Sequence, residues 1–121
     1  NVFFALIEKN GSTQLVKYET GSNTLTELFT LSGKPQSALL LPDEKMLIST
    51  DEEIHLFNID TEAYPSVLFN FGAVDMAYNK LNNRVVLCTD NEIVEATLQG
   101  SSTTIYTSSK PLYQIELLFN K

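Results

Sequence analysis

At 121 residues, 43% of them apolar and 19% charged, the chain has the material for a folded core, and no run approaches the roughly 18 apolar residues of a membrane-spanning helix. Fifteen acidic residues against eight basic give a net charge of −7 with no cluster of Lys or Arg, which argues against nucleic acid as a partner, because phosphate contacts need concentrated positive charge. A single cysteine, Cys88, excludes an internal disulfide framework.

Residues 2–7 form a continuous apolar run rich in β-branched and aromatic side chains, closed by Asn10-Gly11, and predict a buried strand ending in a hairpin turn. Residues 14–19 and 25–31 supply two more strands around the turn at Gly21-Ser22-Asn23. Gly33-Lys34-Pro35 then interrupts the ladder, since proline has no amide hydrogen to give. Four strands follow at 37–41, 46–50, 54–59 and 66–70, then four more at 74–78, 84–89, 93–98 and 103–107. Lys110-Pro111 breaks the chain where Lys34-Pro35 did, and residues 113–119 predict one further strand. No window keeps the helical spacing of apolar residues, so the class is all-β.

The strands repeat. Residues 46–54 align with 85–93 at a constant offset of 39, and Thr50/Thr89, Asp51/Asp90, Glu53/Glu92 and Ile54/Ile93 are identical pairs. A fainter copy occupies 2–7 and 15–18. A period of roughly 40 residues built from short strands is the pattern of a propeller or similar array. The units are expected at 2–32 (three strands of one blade), 36–71, 73–108, and 112–121 as the entering strand of the next or closing blade. The two ends are then complementary parts of one blade. Three blades do not close a ring, because propellers need about four to eight. The chain is therefore expected to need further blades from the same parent chain, or a second copy. Beginning at Asn1, it reads as a processed product or a piece of a larger polypeptide.

Leu87-Cys88-Thr89-Asp90, followed by Ile93 and the turn Leu98-Gln99-Gly100-Ser101, resembles the YWTD repeats of low-density lipoprotein receptor class B domains, and Ile48-Ser49-Thr50-Asp51 with Ile54 is similar to the same pattern. Both copies lack the aromatic pair of that family, and the resemblance spans residues 36–121. It implies a six-bladed propeller in a secreted or receptor protein, a non-catalytic binding module, with Asp51 and Asp90 as structural residues that hold turns or neighbouring blades together.

Other constellations weigh less. The acidic turns around Asp43, Asp51 and Asp60 lack the spacing of a calcium loop and read as solvated edges, so no metal or cofactor is expected. Cys88 and the single histidine, His55, are the formal ingredients of a nucleophile and base, but a cysteine inside an apolar strand reads as packing. Asp75 and Glu116, on the entering strands, are candidate axial carboxylates. Asn10-Gly11-Ser12 is a candidate glycosylation site. The expected function is a loop-presenting module for a protein ligand. The alternatives are a secreted propeller holding a small molecule, a pigment or lipid, in its axial channel, and a propeller enzyme.

Overall fold

A computed structural model describes residues 1–117. Eleven strands run in order: β1 (Val2–Lys9), β2 (Ser12–Glu19), β3 (Thr24–Leu31), β4 (Pro35–Leu41), β5 (Lys45–Thr50), β6 (Ile54–Asn58), β7 (Ser66–Phe69), β8 (Asp75–Asn79), β9 (Arg84–Cys88), β10 (Glu92–Ala96) and β11 (Ser102–Thr107). They form three antiparallel meanders, β1-β2-β3, β4-β5-β6-β7 and β8-β9-β10-β11.

Local chemistry sets the hairpins. Asn10 and Gly11 take φ of 54° and 79°, the left-handed pair that a two-residue turn between twisted strands requires, and Lys9 faces Ser12 across it. Asn23 and Asn83 adopt the same region, which asparagine tolerates because its side chain bonds locally. Asn83 and Asn23 also each accept a hydrogen bond from a tyrosine hydroxyl, Tyr78 and Tyr18 respectively.

The repeat is visible in the ladders. In every sheet the pairing between the third and fourth strands of the unit slips by one residue, after Leu15, after Ile54 and after Ile93. These positions are 39 apart, and the residue that bulges out of register on the partner strand is apolar each time: Leu28, Leu68 and Ile105. The first sheet therefore contains the second, third and fourth strands of a unit.

Two apolar clusters join the sheets. Leu15 and Leu31 of the first sheet pack with Met46, Ile48 and Phe57 of the second, and the ring of Phe57 meets Phe4 and Phe29 edge-on. Leu41, Leu47, Ile54 and Phe69 of the second sheet pack with Met76, Val85, Leu87 and Val94 of the third. The entering strands lie inside, with β4 against β8.

Two expectations are corrected. Residues 2–7 do form a strand, but not a buried one: Val2, Phe3 and Ile7 are exposed, and only Phe4 and Leu6 reach the core. An apolar run is buried only where a neighbouring element covers it, and β1 is the uncovered edge of its sheet. Residues 111–117 carry no strand, and 118–121 lie outside the described residues. A strand needs a partner ladder, and this segment is instead held by single bonds, from Leu112 N–H to the Asp90 carbonyl (2.6 Å) and from Ile115 N–H to the Asp75 carboxylate (2.8 Å).

Candidate functional site

The two Thr-Asp loops, which join β5 to β6 and β9 to β10, are built alike. Thr50 Oγ1 accepts from the amides of Glu52 (3.2 Å) and Glu53 (3.1 Å), while its own amide donates to the Glu53 carbonyl (2.9 Å). Thr89 repeats this, its Oγ1 accepting from Glu92 N–H at 3.0 Å and its amide donating to the Glu92 carbonyl at 2.9 Å. Ile54 is fully buried beneath the first loop, and Ile93 half-buried beneath the second. The threonine closes each turn, which leaves the aspartate free to reach elsewhere.

Asp51 reaches back to the start of its own unit, where its carboxylate accepts from Lys34 N–H and its amide donates to the Lys34 carbonyl, both at 2.8 Å. Asp90 is exposed, and it is its backbone carbonyl that accepts, from Leu112 in the following linker.

The linkers that carry the chain from one sheet to the next pass against the first of these loops. A Cβ on Gly33, whose φ is 90°, would stand 2.5 Å from the Asp51 carboxylate. One on Gly72 would stand 2.1 Å from the Thr50 carbonyl, so the approach is backbone to backbone. Next to it Ser49, fully buried, accepts from Ala73 N–H (2.7 Å) and donates to the Thr50 carbonyl (2.9 Å). Sequence reading took Gly33 only as part of a break in the ladder and Ser49 only as part of the repeat, and it missed Gly72, although the 39-residue spacing of the two glycines was there to find.

Between the second and third sheets these parts border a cleft of about 520 Å3, lined by Gln36, Asp51, Phe71, Thr89, Asp90, Asn91 and Glu92 among others. Its floor is apolar, with Val74 and Val94, and its rim carries three carboxylates and two amides. Within the turns Thr50 bonds to Glu53 and Thr89 to Glu92, while the Asp51 amide bonds to Lys34 and the carbonyls of Asp90 and Asn91 accept from Leu112 and Ser108. Asp90 and Asn91 are exposed there and Glu92 is half-buried.

The remaining predicted residues lie apart. Asp75 is half-buried and spends its carboxylate on Ile115 N–H, whereas Glu116 is exposed and bonds to Gln114 (3.4 Å). The two are not joined by a hydrogen bond, and Asp75 acts as a cap for the last described segment. Cys88 is buried, donates weakly to the Thr89 carbonyl, and has its thiol pushed up by burial and by the charge of Asp75. His55 is buried in another sheet with Nε2 3.3 Å from Glu53, and its Nδ1 has no hydrogen-bond partner among the described residues. Cysteine and histidine thus have separate partners. Among the described residues no group of three or more His, Cys, Asp or Glu is arranged to hold a metal ion. Asn10 is exposed at the tip of the β1–β2 hairpin.

Three meanders packed in series, with their first strands innermost, can be compared with solved structures. A chain in the crystal structure of the nidogen/laminin complex superposes with a TM-score of 0.63 over 83% of this chain, at 13% identity. The fold is that of part of a β-propeller. A functionally unknown protein from Desulfotomaculum acetoxidans DSM 771 superposes with a TM-score of 0.56 over 93%, at 15% identity. This chain spans 42% and 44% of those two chains, so it is a partial propeller relative to both. At such identities the likeness is one of fold, and the fold is the one the YWTD resemblance implies. No family model matches the sequence, and no curated protein matches it.

Proposed function

We propose that the chain is a non-catalytic binding module, a segment of about three blades from a six-bladed extracellular or receptor-type propeller, which presents loops to a protein ligand. The observation that carries this reading is the cleft between the second and third sheets. Its rim of Asp51, Asp90, Asn91 and Glu92 stands on turns closed by threonine hydroxyls and tied by backbone bonds to the linkers, so the loops are ordered before a ligand arrives. An acidic rim over an apolar floor fits a protein loop that inserts a basic or amide side chain, and the net charge of −7 favours its approach. The fold neighbour solved as a nidogen/laminin complex lends support, as a similar fold found in a protein assembly. The exposed Asn10 sequon fits a secreted chain.

The test is selection of a displayed peptide library on the immobilised chain, followed by binding to an Asp90→Asn/Glu92→Gln variant. The expected result is enrichment of peptides carrying Lys or Arg whose binding falls about tenfold or more on the variant, as loss of charge-assisted hydrogen bonds would give. Peptides that bind both proteins equally well would contradict the reading.

A further inference from the structure

The same three loop positions meet different partners at the two junctions between sheets. Between the first and second sheets, Asp51, Glu52 and Glu53 are each given a donor by their own chain: the Lys34 amide to Asp51 (2.8 Å), the Ser32 hydroxyl to Glu52 (2.8 Å), and Nε2 of the buried His55 beside Glu53 (3.3 Å). His55 stands opposite Ile48, which packs with Leu15 and Leu31 of the first sheet. That loop is satisfied from within.

One repeat later Asp90, Asn91 and Glu92 occupy these positions, and the residues 39 places on from the three donors are Ala73, Phe71 and Val94. Phe71 and Val94 have no donor in their side chains, and the Ala73 amide is taken by Ser49 at 2.7 Å. Val94 stands opposite Leu87 as His55 stands opposite Ile48, so the exchange of histidine for valine falls on the same face of the repeat. The acceptors recur and the donors do not. In their place lies the cleft of about 520 Å3, lined by Phe71, Val94 and the three loop residues. Both of its walls are four-stranded sheets, so the opening belongs to the junction itself and not to a sheet edge.

An occupant that replaces the missing donors has to serve several acceptors at once while resting on apolar surface. A lysine ammonium is a compact, strongly hydrated point charge with three donors. A guanidinium is flat, carries five donors in a fixed fork, is more weakly hydrated and stacks on aromatic faces. The chain's single arginine, Arg84, is engaged with Glu95 at 3.0 Å and does not supply it.

We propose that the cleft is a receptor for one arginine side chain of the protein ligand, its guanidinium plane lying over Val94 and beside Phe71 and its N–H groups donating to Asp90, Asn91 and Glu92. The ligand's arginine then does at the second junction what Lys34, Ser32 and His55 do at the first. The inference rests on the proposed function, whose ligand it narrows to one side chain.

The experiment is a titration of the full chain, followed by its amide resonances, with short capped glycine peptides that differ only in a central arginine, lysine or citrulline. The expected result is that the arginine peptide shifts the amides of residues 89–94 and binds about tenfold or more tightly than the other two, because only it combines the charge with the fork. Val94→His, which restores the first junction's donor beside Glu92, is expected to weaken arginine binding about tenfold or more, and so is Asp90→Asn/Glu92→Gln. Asp90 is exposed and Glu92 half-buried, so the amide variant keeps the test decisive should Val94→His not fold, which circular dichroism reports. Lysine bound as tightly as arginine, with both lost on Asp90→Asn/Glu92→Gln, would overturn this inference and leave the proposed function standing. Arginine binding that a folded Val94→His retains in full would also overturn it. Peptides that bind without regard to Asp90 and Glu92 would overturn both.

Discussion

The junction of the second and third sheets and the junction of the first and second are built from the same repeat, yet they differ in completeness. At the former, β4 and β8 lie side by side and the rung of Met76 is only 6% exposed. At the latter β1 is an edge strand of its sheet among the described residues, and the equivalent rungs at Ala38 and Leu40 are exposed. Burial in this fold is therefore a property of the neighbouring sheet more than of the strand's own composition. Stability should follow that division.

The sharpest contrast is between Leu87→Ala and Leu40→Ala. Leu87 is fully buried in the complete junction, and its truncation is expected to cost about 2–5 kcal/mol in chemical denaturation. Leu40→Ala, at a rung that is 69% exposed, is expected to stay within about 0.5 kcal/mol. Similar costs at both sites would break the comparison.

A smaller effect separates the glycines. Gly72→Ala forces a methyl onto the Thr50 carbonyl and is expected to destabilise by about 1–3 kcal/mol, whereas Gly21, with open space around its Cβ position and no left-handed φ, should accept alanine at little cost. Thermal melts of the pair decide it.

Effects of similar size are expected at the loop threonines. Thr50→Val leaves two loop amides without their acceptor and Thr89→Val leaves one, so losses of about 1–3 kcal/mol are expected, the larger at Thr50. Equal losses would mean that the second amide bond at Thr50 adds nothing, and would contradict the expected order.

The least effect concerns Cys88. Its thiol is pushed up by burial and by Asp75, so the folded state holds the proton more tightly than the unfolded state does. Stability is then unaffected at neutral pH and declines as pH rises from the ordinary thiol range through the raised folded value. Denaturation followed at alkaline pH should show a milder decline for Cys88→Ala than for the parent chain.

Much of this was legible in the sequence because the repeat writes itself in turn chemistry. Thr-Asp followed by Ile at a spacing of 39 marks the loops, and Asn10-Gly11 marks the first hairpin. The same spacing carried back from Ile54 reaches Leu15, where the ladder bulges in the same way. Burial of β1 was misread because an apolar run announces a strand without saying whether anything covers it. The roles of Gly72 and Ser49 were hidden because they depend on contacts across some twenty residues, to Thr50 and Ala73 respectively, that no local pattern encodes. Asp75 reads in the sequence as a candidate axial carboxylate, and in the structure its partner is the backbone of Ile115, a contact across forty residues that no local pattern encodes.

Amide hydrogen exchange on the full chain tests the division between the junctions most directly. The account predicts strong protection of β5 and β9 and low protection of β1. Protection of β1 equal to that of β9 would contradict it.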